Sequence, residues 1–440
     1  MKDSGIQWIG QIPENWIPSK IKFVATIHNG DRGSNYPSGD DMVDDGIYFI
    51  TTNNIDGIKL NCNKDISKFI TEERYNLLGG AKIELNDIIY CLRGSIGKCA
   101  INKNISQGTI ASSLTCLRVK KAIPDYINYF LQSNIVLDQV KLFMNGTCAA
   151  NLSAENVANF FLLEPPLTEQ TRIANFLDQK CSAIDSVLEK TRASIEEYKK
   201  LKQSVITQAV TKGIRGNRPM KDSGVQWIGQ IPEDWDSRRL KSLFTFGKGL
   251  PITKENLVET GLPVISYGQI HSKTNSGVRL QDDLIRFVPD TYLSSNPEAL
   301  VHKGDYIFAD TSEDLEGCGN CVYVDEEKVL FAGYHTIIFK RKTELESKYL
   351  AYLFKTDSWR NQIRSKCFGV KLFSITQKIL GSVSVILPSE KEQKEIVSHL
   401  DNICTEIDGI IAKKTSLLSE IEAYKKSLIY EYVTGKKEVA

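Results

Sequence analysis

Along residues 165–213, apolar side chains return at steps of three and four. Leu177, Ile184, Tyr198 and Val205 keep a seven-residue step that includes Thr191; Cys181, Leu188, Ile195 and Ala209 keep the alternate positions, with Lys202 among them. The same rhythm runs through residues 387–437, with Leu400, Ile407, Lys414, Ile421 and Leu428 in one row and Cys404, Ile411, Leu418, Lys425 and Tyr432 in the other. A hydrophobic repeat of this spacing predicts a long helix carrying a coiled-coil stripe. The polar interruptions match, Thr191 with Lys414 and Lys202 with Lys425, and such residues cost stability while fixing register. Each block opens after proline on Ser or Thr and acidic residues, as helices start. About 45 residues at ~1.5 Å each give helices of roughly 67 Å.

The stretches before each block, residues 17–164 and 236–386, have a different pattern. Short apolar runs alternate with Gly, Asn and Asp turns, predicting strands at residues 46–52, 87–92 and 113–119, and again at 263–267, 305–309 and 336–339. A short helix is predicted late in each, at residues 125–133 and 347–355. The fold class is therefore α+β: two mixed α/β domains separated by two long helices. The boundaries read 1–164 for the first domain, 165–216 for the central helix, 217–386 for the second domain and 387–440 for the last helix.

This order is an internal repeat. Residues 1–16 read MKDSGIQWIGQIPENW and residues 220–235 read MKDSGVQWIGQIPEDW, identical at 14 of 16 positions. Gln170 matches Gln393, Ile173 matches Ile396 and Asp185 matches Asp408. The framing segments are nearly the same, whereas the loops between them differ. Segment 220–235 follows a long helix but its twin 1–16 has no helix before it. Equivalent halves therefore require residues 1–16 to dock near the end of the last helix, which makes the chain circularly organised. A two-fold relation between the halves makes the long helices antiparallel and sets the domains apart on a rod. Two similar domains related in this way suit the two-fold geometry of a DNA duplex. With different loops they would read different half-sites, and the rod would set the spacer between them.

Here the sequence resembles the specificity (S) subunits of type I restriction-modification systems. The resemblance rests on the repeated framing segments (residues 5–16 and 224–235), on the Pro-Pro-Leu-x-Glu-Gln entry to the first long helix from Pro165 to Asp178, and on the weaker entry from Pro388 to Asp401. It implies two target recognition domains, each reading one half of a bipartite DNA site. It also implies helical regions that bind two methyltransferase (M) subunits and through them restriction (R) subunits. The chain itself would be non-catalytic, with S-adenosylmethionine, ATP and Mg held in partner subunits. The second entry, Leu387-Pro388-Ser389-Glu390, departs from the Pro-Pro-Leu form, so binding of the second methyltransferase could differ there. A subunit serving a methyltransferase alone, or a type II-like enzyme, fits the same residues. A coiled-coil scaffold without DNA binding is the alternative from another class, and the divergent polar loops argue against it.

The sequence lacks the chemistry of an enzyme of this kind. Its one Pro-Pro, Glu164-Pro165-Pro166-Leu167, stands at a helix entry and lacks the Asn/Asp and aromatic neighbours of an adenine methyltransferase motif. No G-x-x-x-x-G-K-[ST] phosphate loop is present. Cys318-x-x-Cys321 has no second pair to complete a zinc site. The remaining cysteines are scattered, as expected of thiols in the cytoplasm, and the first residues hold no apolar run of signal-peptide length.

Base edges are read by Arg, Lys, Asn, Gln, Ser and Thr. In the first domain the candidates are Arg32, Asn35 and Tyr36; Asn53 and Asn54; Arg93, Ser95 and Lys98; and Asn145, Thr147 and Asn151. In the second they are Lys248; Tyr267, Gln269 and His271; Thr311 and Ser312; and Lys366, Lys371 and Ser374. Arg93 leads, because arginine pairs bidentately with guanine. The framing tryptophans Trp8, Trp16, Trp227 and Trp235 are either partner anchors or core, and with Gln170 and Gln393 they are the candidate partner contacts. Charge qualifies the picture. The chain carries 55 basic and 54 acidic side chains, and residues 17–164 and 236–386 are net 0 and +2. Phosphate contacts supply much of nonspecific affinity. A chain this neutral should grip DNA weakly alone, as the reading part of an assembly.

Overall fold

The computed structural model describes residues 1–6, 8–144, 151–342, 345–369 and 371–439. The chain divides into two compact units, one of residues 1–192 with 415–440 and one of residues 193–414. The long helices are Leu167–Lys212 and Glu390–Val433, and each contributes one segment to each unit.

In the first unit, a four-stranded antiparallel sheet runs in the order Ala25–Asn29, Leu114–Val119, Ile88–Cys91, Cys99–Ile101. Strand Ile88–Cys91 is buried throughout, which is why its sequence is a continuous apolar run rather than an alternation. A second sheet orders Gly108–Ile110, Ile47–Ile50, Lys68–Ile70 and Met42–Val43, with its first two strands parallel. Ile6, Ile9, Ile12 and Trp16 share one core with Leu428, Ile429 and Val433 near the other end of the chain. Lys436 Nζ donates to the carbonyls of Gln11 and Ile9 at 2.7 and 3.3 Å. Gly435 has φ +66°, and a Cβ there would meet Pro13 at 2.5 Å. The expected docking of the first segment beside the last helix is therefore observed.

The second unit repeats this arrangement. Its central sheet orders Phe244–Lys248, Thr336–Arg341, Tyr306–Ala309 and Cys321–Tyr323; its second sheet orders Arg286–Val288, Leu262–Ile265, Leu330–Ala332 and Leu300–Val301. Val225, Ile228, Ile231 and Trp235 share a core with Ile206, Ala209 and Val210. Individual hydrogen bonds recur as well. Tyr129 donates to Asp178 and Tyr352 to Asp401, both at 2.6 Å. Tyr126 Oη lies 3.4 Å from the Val433 carbonyl, and Tyr349 Oη lies 2.9 Å from that of Val210.

Within each unit the two helix segments run antiparallel. In the first, the rings of Phe176 and Tyr432 meet tilted with centres 4.5 Å apart, Lys425 donates to Asp185 at 2.6 Å, and Arg192 pairs with Glu422 at 2.6 Å. In the second, Lys202 pairs with Asp408 at 2.6 Å and Arg215 with Glu395 at 2.5 Å. The seam lysines Lys202 and Lys425 thus meet equivalent aspartates beside the stripe. Cys181, Ile184, Leu188, Thr191, Ile195 and Tyr198 are, with Ser194, the less exposed positions of their stretch, as the heptad predicts for the first six.

Lys355, just past helix Ser347–Phe354, ties the second unit's sheet region to its helix, its carbonyl accepting from Gln203 Nε2 at 3.0 Å. Its methylenes lie against Gly277. Burial, with Arg360 nearby, pushes its ammonium down to about 8 from 10.5. The folded state therefore holds this proton less tightly than the unfolded chain, a penalty that is full below pH ~8 and fades toward pH ~10.5. Lys355→Met is expected to stabilise the second unit by ~1–2 kcal/mol at pH 7. Melting temperatures measured against pH should show that gain shrinking toward pH ~10.

Candidate nucleic-acid interface

Antiparallel pairing in the first unit's central sheet puts the end of Ala25–Asn29, the start of Leu114–Val119 and the end of Ile88–Cys91 at one edge. The loop after Ile47–Ile50 joins them, because Ala111 N donates to the Ile50 carbonyl at 2.8 Å. Arg32 reaches the Ser112 carbonyl at 3.4 Å. Its loop is fastened by Asp31, which accepts from the N–H of Gly33 and Gly79 at 2.9 and 3.0 Å; these bonds hold its carboxyl below the usual range. Arg93 follows the buried strand directly and donates from Nε to Asn151 at 3.1 Å. Leu152 N donates to the Leu92 carbonyl at 3.0 Å, so residues 151–152 are locked beside Arg93. Lys98 and Asn53 are exposed on neighbouring loops, and Ser95 is half-buried. Asn35 is exposed and donates to the Leu77 carbonyl at 3.2 Å. Tyr36 packs edge-on against Phe49. Asn145 and Thr147 lie outside the described residues.

The second unit presents the corresponding edge. Lys248 is exposed at the end of its strand. Thr311 pairs with Ser374 in a two-residue ladder, which brings Ser374 to the same edge. His271 Nε2 lies 2.8 Å from the Thr311 carbonyl and its Nδ1 lies 3.1 Å from Asn320 Nδ2. Tyr267, His271, Ser312, Arg360 and Arg364 line a cleft of about 750 Å³. Glu313, Asp314, Glu316 and Asp357 also line it. These carboxylates repel phosphate but can accept from a base amino group, so the cleft suits a base edge better than a backbone. Sequence reasoning did not single out Arg360 and Arg364, which reach this cleft from helix Asp357–Arg364 while donating to the Phe354 and Glu316 carbonyls at 2.7 and 2.8 Å. Lys371 is exposed in the following loop.

Several candidates are engaged elsewhere. Asn54 is fully buried: it accepts from Thr51 N at 2.9 Å and donates to the Asn61 carbonyl and Ser67 Oγ, closing a capping box instead of facing a base. Gln269 does the same for Ser266 N at 3.2 Å. Lys366 donates to Ser382 at 2.7 Å, and burial pushes its pKa down. Gln170 and Gln393 are buried at the entries of the long helices, where each donates to a proline carbonyl, Pro165 or Pro388, at 2.9 Å. They are internal caps and not partner contacts.

The framing tryptophans split into two pairs. Trp16 and Trp235 are 1% and 0% exposed and belong to the cores. Trp8 and Trp227 are 40% and 39% exposed. No group of three or more metal-ligating side chains occurs among the described residues, and no helix among them is long and apolar enough to cross a membrane.

Comparison with known proteins agrees with this geometry. Residues 13–197 and 232–420 match the family described as type I restriction modification DNA specificity domain. The chain is 25% identical over 98% of its length to the type I restriction enzyme MjaVIII specificity subunit of Methanocaldococcus jannaschii, covering 94% of that protein. It is 24% identical over 97% of its length to the EcoKI specificity subunit of Escherichia coli strain K12, covering 90% of it. Among solved structures, a chain from a study of type I R-M complex assembly and conformational transition aligns with a TM-score of 0.70 at 16% identity, over 97% of this chain and 100% of that one. The HsdS subunit from Thermoanaerobacter tengcongensis aligns with a TM-score of 0.51 at 16% identity, over 97% and 98%.

Proposed function

We propose, for a chain that belongs to the type I restriction-modification DNA specificity family, that each unit reads one half of a two-part DNA site for a methyltransferase assembly. One observation carries this reading. The two units repeat the same backbone frame down to single hydrogen bonds, yet place different side chains at the same loop edge. Arg32, Arg93, Lys98 and Asn151 stand there in the first unit, and Lys248, Tyr267, His271 and Thr311 in the second. A frame kept constant beneath unequal polar tips supports reading two different sequences. The chain is non-catalytic: it directs adenine methylation and cleavage carried out by methyltransferase and restriction subunits, which bind S-adenosylmethionine, ATP and Mg. Its near-neutral charge supports this division, with much of the phosphate grip in the partners. The test is enrichment of a randomised duplex library by the chain with its methyltransferase. A bipartite motif is expected, and enrichment of no such motif would sink the reading.

The exposed pair Trp8 and Trp227 are the partner anchors on this reading. Changing both to Ala is expected to leave the circular dichroism spectrum and melting temperature nearly unchanged. Copurification with the methyltransferase should weaken at least ten-fold, since partly exposed tryptophans are frequent interface hot spots. Unaltered copurification would assign them to the surface alone.

A further inference from the structure

The crossover from second sheet to central sheet is the same in both units, but its tip is not. In the first unit it is Ala111-Ser112-Ser113, and Leu92 N donates to the Ser113 carbonyl at 2.9 Å. In the second it is Gly333-Tyr334-His335. There Asp310 N donates to the His335 carbonyl at 3.1 Å, and Gly333 N donates to the Ile265 carbonyl at 2.7 Å, as Ala111 N does to Ile50. Against this shared frame, His335 takes φ +54° whereas Ser113 stays out of the left-handed region. A non-glycine residue with positive φ is uncommon, and such residues gather at functional sites.

This conformation places an imidazole at the loop edge. The His335 side chain is 57% exposed. Tyr267 and Tyr334 meet it edge-on, with ring centres at 5.5 and 6.1 Å, and fix the plane of the ring. Nδ1 lies 3.2 Å from Asp310 Oδ1. A carboxylate only accepts, so Nδ1 carries the proton and Nε2 of the neutral ring is left as an acceptor. An acceptor at this edge matches an exocyclic amino group, N6 of adenine or N4 of cytosine, in the major groove.

We propose that His335 is a specificity-determining contact of the second unit, reading one amino-bearing base of its half-site, with Asp310 as the positioning residue that sets the tautomer. This rests on the DNA-reading function proposed above. The first unit has two small hydroxyl residues here, so the contact belongs to one half-site only.

The test is methylome sequencing of cells expressing the full chain with its methyltransferase. His335→Gly keeps the backbone conformation at no strain, and His335→Asn keeps a residue that tolerates it. Both are expected to leave the first half-site intact and to make one position of the second degenerate, with roughly ten-fold slower methylation of the original sequence. Asp310→Asn can donate to Nδ1 and so move the proton to Nε2. It should shift preference at that same position toward a base presenting an acceptor, an outcome a purely structural role would not produce. An unchanged motif in both His335 variants overturns the proposal. So does loss of methylation at all sites together in both, which marks a residue needed for the fold. If the unaltered chain yields no bipartite motif, the functional reading itself fails, and the two failures are thus distinguishable.

Discussion

Arg93→Ala, expressed with the methyltransferase, is expected to lower methylation of the original site by about 10- to 100-fold and to relax one base pair of one half-site, leaving the other half as it was. The size follows from the ~1–3 kcal/mol that a bidentate arginine–guanine pair contributes to discrimination. The geometry explains why this arginine should carry so much. It leaves a strand buried at every position, so its backbone cannot drift. Leu152 N anchors to the carbonyl just before it, and Asn151 takes its Nε at 3.1 Å. That orients the guanidinium and leaves the fork of terminal nitrogens for the base. Arg93→Lys should fare little better than Ala, because a lysine cannot reproduce the planar fork. Asn151→Ala should cost less, since it loosens the arginine without removing it. Methylome sequencing gives motif and rate together, and an unchanged motif at unchanged rate removes Arg93 from the reading surface.

The largest stability effect is expected at Glu392. Its carboxylate is 2% exposed, 2.7 Å from Arg218, and accepts from Trp235 Nε1 at 3.1 Å. Arg218 also lies over the Trp235 ring at 5.1 Å. Glu392→Ala strands the arginine beside a core tryptophan whose N–H loses its acceptor, a loss of ~3 kcal/mol or more. The equivalent Glu169 in the first unit is half-buried, accepts from Asn15 Nδ2 at 3.4 Å and pairs with no arginine among the described residues, so Glu169→Ala should change stability by less than ~1 kcal/mol. Hydrogen exchange should show protection lost in residues 193–414 for the first variant, and in neither unit for the second. Equal effects of the two substitutions would contradict the asymmetry.

The periodic parts of this fold were legible in the sequence. Heptad spacing located both long helices to within a few residues, and apolar runs located the central strands, because both patterns are direct records of burial. The docking of residues 1–16 followed from the repeat alone. The second sheets were mostly invisible, since strands of two or three residues such as Met42–Val43 and Leu300–Val301 hold no period. The four tryptophans could not be sorted for the same reason: the segments that frame the domains are turns, and a turn does not record which side faces water. Asn54 was misread although its signal was present. Thr51-x-x-Asn54 and Ser266-x-x-Gln269 have capping-box spacing, which uses the side chain internally. His335 escaped because no single residue other than glycine reliably marks a left-handed backbone. Setting Gly-Tyr-His beside Ala-Ser-Ser at the matched crossover would have exposed it.

The unit division has a consequence for biosynthesis. The second unit is one uninterrupted stretch, residues 193–414, whereas the first needs residues 415–440 to complete its core around Trp16, Leu428 and Val433. On the ribosome, the unit whose synthesis starts first must finish last. Its early portion waits through more than two hundred residues of translation with an apolar face uncovered, while the later unit can already close. Domains generally fold in the order in which they emerge, and exposed apolar surface is where nascent chains aggregate. Here the order is inverted. The nascent first unit is therefore the part of this protein most dependent on chaperones, and residues 415–440 are the ones that release it.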